Sequence, residues 1–330
     1  MNTTRRTALQ LAAAGAGALA STAVVKPRKD VTTYVFVSGS NGVATADPEL
    51  TLRGHRSIGV GLPGHGPEEQ FVRAYQAPQD LAALATLKSP VAGVTLDDYV
   101  EATVKVVRQV AEHGRVILVG GSLGGATITK VADAVPHLID TLVYDAAYCC
   151  TRLRSPNDYV ATPEGKTSLA GSLVSGIVAD PAVIGALRVN WRTNDPEFLA
   201  AARKTFMADG TEGEFLALLN ALLPDESMQV SSADARGRKE RWGRVRRVYI
   251  RHTKDRMIPL ALQDRMIREA DAATPGNRFE VFLGGRRARA DGSGVQGDLG
   301  NSASAGEMKN GRLTRETSVH MLGYQDSNLD

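Results

Sequence analysis

The sequence predicts an α/β fold: a mostly parallel sheet with helices on both faces and an inserted helical cap. Short runs of apolar, often β-branched residues alternate along the chain with helical apolar patterns. That alternation is typical of parallel sheets. Residues 151–240 interrupt it with several helical patterns and no clear strand, which indicates the cap. We therefore expect one domain with an insertion, which a chain of 330 residues can accommodate.

Composition and periodicity divide the chain into five parts. In order they are an export signal (residues 1–25), the first part of the core (26–150), the cap (151–240), the second part of the core (241–283) and an irregular tail (284–330). The tail is rich in Gly, Arg, Ser, Asp and Asn and shows no periodicity.

The amino terminus resembles a bacterial twin-arginine export signal. Arg5 and Arg6 precede an Ala/Gly-rich apolar stretch over residues 8–20, and small residues follow as candidate cleavage sites. We expect a secreted or periplasmic protein. The two cysteines, Cys149 and Cys150, are adjacent. Their Cα atoms would lie about 3.8 Å apart, below the usual range for a disulfide, and a chain without disulfides suits a route in which folding precedes export.

Composition argues against several classes of partner. The net charge is only +3, so nothing points to a nucleic acid. No apolar run reaches the ~18 residues that a membrane span requires. Two adjacent cysteines and six scattered histidines form no ligand cluster, so we expect no metal and no organic cofactor. The sequence carries no signal for an oligomeric state.

The first half of the core shows a strand, helix and strand order. Residues 31–38 form a strand closed by Gly39-Ser40-Asn41-Gly42, and residues 55–61 form a second strand followed by Leu62-Pro63-Gly64-His65-Gly66. A helix then begins at a capping box made by Thr95 and Asp98 and ends at Gly114.

The central feature of the chain is the run Gly120-Gly121-Ser122-Leu123-Gly124-Gly125. A buried strand over residues 116–119 precedes it and a helical pattern follows. A G-x-S-x-G turn between strand and helix holds its serine exposed at the strand's carboxyl end. A dinucleotide fingerprint and a phosphate loop both fail on spacing. We therefore predict that Ser122 is a nucleophile.

The second half of the core supplies the remaining elements. A helix to about residue 136 and a strand over residues 141–147 follow the turn that carries Ser122. After the cap come a strand over residues 247–252, a helix over 260–270 and a last strand over 278–283. A serine nucleophile needs a base, an acid that orients the base, and N–H donors for the oxyanion. On this topology the chain order is serine, acid, histidine.

The sequence resembles the α/β-hydrolase superfamily, and within it the small, helical-capped esterases that include plant methylesterases and hydroxynitrile lyases. The likeness covers about residues 31–283. It rests on the glycine-flanked Ser122 and on two further motifs, Leu-Pro-Gly-His-Gly (62–66) and Lys-Asp-Arg-Met-Ile-Pro (254–259). This resemblance implies an α/β-hydrolase fold.

The resemblance also implies site residues. The motif at 254–259 places the triad acid at Asp255, and His320 is the candidate base, although it comes much later than the family's histidine. Where the family carries His-Gly after its first core strand, this chain has Ser38-Gly39. The backbone N–H groups of Ser40 and Leu123 are therefore the expected oxyanion donors, because a backbone donor does not depend on its side chain.

Alternatives remain open for both the triad and the reaction. Asp145, at the end of the strand after the elbow helix, is an alternative acid, and His252 is an alternative base. The leading hypothesis is an exported carboxylic ester hydrolase acting on a small or medium hydrophobic ester. The other hypotheses are C–C lyase or perhydrolase chemistry, or an impaired ligand-binding relative with an altered carboxyl terminus.

Overall fold

The computed structural model describes residues 31–284 of the chain. The strands in this part are β1 (Thr33–Val37), β2 (Arg56–Gly59), β3 (Val116–Gly121), β4 (Thr141–Asp145), β5 (Leu187–Arg188), β6 (Asp225–Glu226), β7 (Arg246–His252) and β8 (Glu280–Gly284). The α-helices are α1 (Pro48–Leu52), α2 (Pro67–Gln70), α3 (Leu81–Leu84), α4 (Leu96–Ala111), α5 (Gly124–Ala134), α6 (Pro156–Val160), α7 (Pro181–Ile184), α8 (Pro196–Phe206), α9 (Glu212–Ala221), α10 (Met228–Ser232) and α11 (Leu260–Ala273).

Six of the strands form one parallel sheet in the order β2-β1-β3-β4-β7-β8. This confirms the predicted parallel sheet. Because every strand runs the same way, all six carboxyl ends lie along one edge, and the loops that leave this edge come together. The observed strands are shorter than predicted by one or two residues at several ends, as for β1 and β2.

Helices cover both faces of the sheet, as predicted. Alternate strand residues such as Val35 and Leu118 share a buried apolar cluster with α4, α5 and α11. Their neighbours Tyr34 and Ile117 face the other way, into a cluster that includes Leu50 of α1. The period-2 alternation of side chains in a strand thus places one core on each face of the sheet.

The helix α4 begins where the sequence predicted. Thr95 accepts a hydrogen bond from the Asp98 N–H, and the Asp98 carboxylate accepts one from the Thr95 N–H at 2.8 Å. These two bonds satisfy donors that would otherwise lack partners in the first turn. The helix buries Tyr99 and Val107 against the sheet, which brings the Tyr99 hydroxyl to the base of the cap.

Residues 151–240, the predicted cap, contain the helices α6 to α10 and also a small sheet, which the sequence, with no clear strand pattern there, did not indicate. The strands β5 and β6 pair antiparallel and have two residues each. Arg188 of β5 and Asp225 of β6 join them by two hydrogen bonds of 2.6 Å, both side chains being buried. Two residues are too few to show a strand pattern in sequence, and the pair is fixed instead by this long-range ion pair.

Both cysteines lie within the described part of the chain, where they are buried and unpaired. Between residues 31 and 284, no helix combines the length and the apolar character needed to cross a membrane.

Candidate active site

Ser122 lies in a sharp turn between β3, which ends at Gly121, and α5, which begins at Gly124. Its φ of +48° falls in the left-handed region, which costs an ordinary L-residue about 1–2 kcal/mol. The turn therefore holds Ser122 in the strained backbone that a nucleophile elbow requires.

Three glycines make this turn sterically feasible. A Cβ on Gly120 would lie 2.8 Å from the carbonyl carbon and oxygen of Gly124. A Cβ on Gly124 would lie 2.6 Å from the Val37 carbonyl oxygen, and one on Gly39 would lie 2.7 Å from the Ser122 Cβ. A Cβ at Gly120 or Gly124 would therefore clash with backbone atoms, and the Ser122 turn packs directly against the end of β1.

Backbone strain is concentrated at the carboxyl edge of the sheet. Among the non-glycine residues that the structure describes, positive φ occurs at Asn41, Ser122 and Ala146. These residues follow β1, β3 and β4, which are neighbours in the sheet. Strained backbone of this kind persists where surrounding contacts fix it, and it clusters at functional sites.

Two backbone donors beside Ser122 are available for a ligand. Within residues 31–284, the N–H groups of Ser40 and Leu123 donate to no acceptor. Leu123 is buried and precedes the first turn of α5, an eleven-residue helix. Ser40 is exposed, so solvent can reach its N–H, whereas the buried Leu123 lies at a helix amino terminus, which favours negative charge. The two donors thus fit the predicted oxyanion hole.

Asp255 lies in the loop that follows β7. One of its carboxylate oxygens, Oδ1, accepts hydrogen bonds from the N–H groups of Met257 at 2.7 Å and Ile258 at 2.9 Å. Burial raises the pKa of Asp255 above its ordinary value, against the two backbone hydrogen bonds and the nearby His252. The charge of Asp145 also raises the pKa of Asp255, so the two carboxyl groups lie in one electrostatic neighbourhood.

The structure brings the alternative acid and the alternative base together. Asp145 is the last residue of β4 and His252 is the last residue of β7, on adjacent strands. The His252 Nε2 lies 2.6 Å from the Asp145 Oδ1, and the Asp145 side chain is 1% exposed against 28% for His252. The buried side chain of Gln263 fixes the His252 backbone by accepting from its N–H and donating to its carbonyl, each at 3.0 Å.

The leading base, His320, lies outside the described residues. The structure thus places Ser122 and Asp255 of the leading triad at the same edge of the sheet, and it pairs the rival residues Asp145 and His252 there. No group of three His, Cys, Asp or Glu side chains that could hold a metal ion occurs in residues 31–284.

Sequence reasoning missed a buried polar cluster beside residues 39–42, the loop that follows β1 and carries Ser40. We call this segment the oxyanion loop. His65, in the loop after β2, approaches the Gly42 carbonyl oxygen with its Nδ1 at 3.0 Å. Its Nε2 lies 2.6 Å from the Tyr99 hydroxyl. The Tyr99 hydroxyl in turn donates to Glu226 at 3.3 Å. Glu226 belongs to the cap strand β6, and no motif in the sequence marked it.

The fold and the strained serine turn define the class to which the protein belongs. A sequence profile described as the alpha/beta hydrolase family matches residues 34–288. The chain therefore belongs to the α/β-hydrolase family. No curated protein gives a significant sequence match.

Solved structures with similar folds include several hydrolases. A pyrethroid hydrolase from Sphingobium faniae JZ-2 is 22% identical, with a TM-score of 0.55 over 77% of this chain and 87% of that chain. An extracellular α/β-hydrolase from a Paenibacillus species is 18% identical, with a TM-score of 0.53 over 76% and 90%. Polyneuridine aldehyde esterase is 18% identical, with a TM-score of 0.50 over 77% and 90%. At these identities the likeness establishes the shared fold.

Proposed function

We propose that this protein is a serine hydrolase that cleaves carboxylic esters, with Ser122 as the nucleophile. The observation that carries the proposal is the Ser122 turn itself, with its positive φ and two neighbouring N–H groups that donate to no acceptor in residues 31–284. The family is one of hydrolases, and two of the similar structures are named as a pyrethroid hydrolase and as polyneuridine aldehyde esterase. We extend ester cleavage to this chain on those grounds.

The proposed reaction proceeds in two halves. The Ser122 Oγ attacks the ester carbonyl carbon while a histidine takes its proton, and the N–H groups of Ser40 and Leu123 bind the oxygen that becomes negative. The tetrahedral intermediate collapses, the histidine returns the proton to the leaving alcohol, and an acyl-enzyme remains. Water activated by the same histidine then releases the carboxylic acid and regenerates Ser122.

Two assignments of the base compete. In the first, His320 is the base and Asp255 holds its imidazole, as the resemblance of the motif at 254–259 implies. In the second, His252 is the base and Asp145 is its partner, an assignment that the 2.6 Å contact between them supports. We take the first as the leading assignment, and both share the same nucleophile and oxyanion donors.

Ester turnover by four forms of the full chain tests the proposal. We expect wild type to hydrolyse p-nitrophenyl esters, with a preference for short or medium acyl chains, and Ser122→Ala to lose roughly 10⁴-fold or more of kcat. His320→Ala should match that loss while His252→Ala keeps most of the turnover. The reverse result would move the base to His252 and overturn the leading assignment.

A fluorophosphonate probe supplies a check that does not depend on the choice of ester. It forms a covalent bond to an activated serine, so wild type should be labelled at Ser122 and Ser122→Ala should not. Labelling at another residue, or turnover that survives in Ser122→Ala, would contradict the proposed nucleophile.

A further inference from the structure

The cap and the oxyanion loop meet at a buried polar cluster that the mechanism above does not use. We call it the Glu226 cluster, and its members are Asn41, His65, Tyr99 and Glu226. Each of the four residues is at most 8% exposed. They come from four separate elements: the loop after β1, the loop after β2, helix α4 and strand β6. Buried polar groups of this kind are costly unless every one of them is hydrogen-bonded.

Asn41, the residue after Ser40, uses its polar groups on the cap. Its N–H donates to the Glu226 Oε2 at 2.7 Å, and its side-chain Nδ2 donates to the Leu223 carbonyl at 2.9 Å. Its own carbonyl accepts from the Leu223 N–H at 2.7 Å. These bonds hold Asn41 at its φ of +58°. They also occupy the Asn41 N–H, whereas the Ser40 N–H beside it donates to no acceptor in residues 31–284.

His65 contacts the next residue of the same loop, Gly42. A carbonyl oxygen only accepts, so the His65 Nδ1 carries the hydrogen that faces the Gly42 carbonyl. When the ring is neutral, its Nε2 accepts from the Tyr99 hydroxyl. When the ring is protonated, Nε2 donates to the Tyr99 oxygen, and the Tyr99 hydroxyl donates to Glu226. Both protonation states leave the ring nitrogens hydrogen-bonded.

Charge in the cluster favours the protonated ring. Burial alone lowers the pKa of His65, but the Glu226 carboxylate, the Gly42 carbonyl and the Glu69 carboxylate together raise it above its ordinary value. The His65 Nε2 lies 3.7 Å from the Glu226 Oε1. Glu226 therefore acts on two adjacent residues at the carboxyl end of the oxyanion loop, directly on Asn41 and through Tyr99 and His65 on Gly42.

We propose that Glu226 is a positioning residue that holds the oxyanion loop, residues 39–42, in the geometry that presents the Ser40 N–H to the substrate. Through Glu226 the cap strand β6 thus sets the position of one oxyanion donor. The inference rests on the proposed function for its catalytic consequence, whereas the hold on the loop itself is independent of that function.

Glu226→Gln tests the proposal because the amide keeps the size of the side chain and loses its charge. Removing a whole oxyanion donor costs about 10²–10³ in kcat, so a displaced donor should cost roughly 10- to 100-fold. We expect that loss in kcat for p-nitrophenyl butyrate with KM nearly unchanged. A trifluoromethyl ketone, whose adduct with serine carries an oxyanion, should lose affinity by the same factor, while the product acid should not.

Asp225→Asn is the matched control. Asp225 adjoins Glu226 in β6 and is equally buried, but its carboxylate binds Arg188 and does not contact the oxyanion loop. It should lower the thermal unfolding midpoint and leave kcat and ketone affinity close to wild type. If Asp225→Asn reproduces the kinetic loss, or if folded Glu226→Gln keeps wild-type kcat and ketone affinity, the proposal is overturned.

Hydrogen exchange at single amides separates this inference from the proposed function. The Asn41 N–H should exchange slowly in wild type, where its acceptor is the charged Glu226 carboxylate. In Glu226→Gln the acceptor is a neutral amide oxygen, which binds the N–H more weakly, so exchange should be roughly tenfold or more faster. Asn41→Gly, which keeps the positive φ and loses the side-chain bonds to the cap, should loosen the same loop. Unchanged Asn41 exchange in Glu226→Gln overturns the hold on the loop, whereas a wild type that cleaves no ester contradicts only the function.

Discussion

At the scale of single residues, the carboxyl groups of Asp255 and Asp145 have different hydrogen-bond partners. Asp145 has a histidine nitrogen 2.6 Å from its Oδ1. Asp255 has two backbone N–H groups on its Oδ1 and a pKa raised above its ordinary value, chiefly by burial. A raised pKa means that the charged form of the carboxyl group is less stable in the folded protein than in the unfolded chain. Residues kept in such positions are often functional.

Asp255→Asn should therefore stabilise the protein at pH 8 and inactivate it if Asp255 is the triad acid. The amide oxygen can still accept from the N–H groups of Met257 and Ile258. Because the folded pKa of Asp255 is raised, wild type loses stability as pH rises from the ordinary value of 3.8 to the raised one. The variant lacks that loss. Its unfolding midpoint should exceed that of wild type at pH 8, and the difference should shrink towards pH 4.

Asp145→Asn is the control for this prediction, since it removes a carboxylate that contacts His252 directly. We expect it to lower the unfolding midpoint at pH 8. The ester assay then reports the acid: kcat should fall by roughly 10⁴-fold in whichever variant removes the triad partner. An Asp255→Asn protein that is less stable than wild type at pH 8 would contradict the argument from burial.

At the scale of elements, the elbow depends on how closely α5 approaches β1. Gly124 is the first residue of α5, and a Cβ at this position would collide with the carbonyl oxygens of Val37 and Ser38. Arg241 donates from its Nε to the Asp133 carbonyl and from its Nη2 to the Ala134 carbonyl, at the carboxyl end of the same helix. Such contacts favour the negative end of a helix, so α5 is fixed at both ends.

Gly124→Ala should separate α5 from β1. The new Cβ would lie 2.6 Å from the Val37 oxygen and 2.7 Å from the Ser38 oxygen, both backbone atoms that cannot rotate away. Overpacking of this kind typically costs about 1–3 kcal/mol. We expect chemical denaturation to show that loss in the free energy of unfolding. Ester turnover should fall as well, because the Leu123 N–H moves with the helix.

Gly213→Ala is the matched control for the helix substitution. Gly213 lies in α9, and a Cβ there would have no heavy atom within 4 Å. Alanine favours a helix over glycine by up to about 1 kcal/mol, so this variant should be as stable as wild type or slightly more stable. Equal effects of the two substitutions on the free energy of unfolding and on ester turnover would show that close packing at Gly124 does not determine either quantity.

The sequence predicted what local patterns can carry. The individual strands and helices of the α/β fold, the capping box at Thr95 and the Ser122 turn each depend on residues within a few positions of one another, and each is confirmed. The roles assigned to Ser40, Leu123, Ser122, Asp255 and His320 stay predictions. The pairing of Asp145 with His252 joins residues 107 positions apart, and that of Asn41 with Glu226 joins residues 185 apart. Contacts over such separations depend on the tertiary fold, which no local pattern records.

At the scale of the whole molecule, cap and core are joined by polar contacts on more than one side. Glu226 reaches the loop after β1. On another side, Tyr159 of the cap helix α6 donates to Glu269 of the core helix α11 at 2.6 Å. Arg265 of α11 also binds Glu164 of the cap at 2.8 Å. The candidate active site therefore depends on contacts between cap and core as well as on the core itself.

Export of the folded chain is the prediction that belongs to this scale. The twin arginines Arg5 and Arg6 resemble a signal for a route in which folding precedes export. A molecule with unpaired, buried Cys149 and Cys150 does not need an oxidising compartment to fold.

Replacing both arginines with lysine keeps the charge but changes the side-chain geometry. We expect the double variant to accumulate in the cytoplasm of a bacterial host, still active towards esters, while wild type reaches the periplasm or medium. Arg28→Lys, the same exchange beyond the signal, should leave export unchanged. Export of the double variant at the wild-type level would show that the arginine pair does not direct this protein out of the cell.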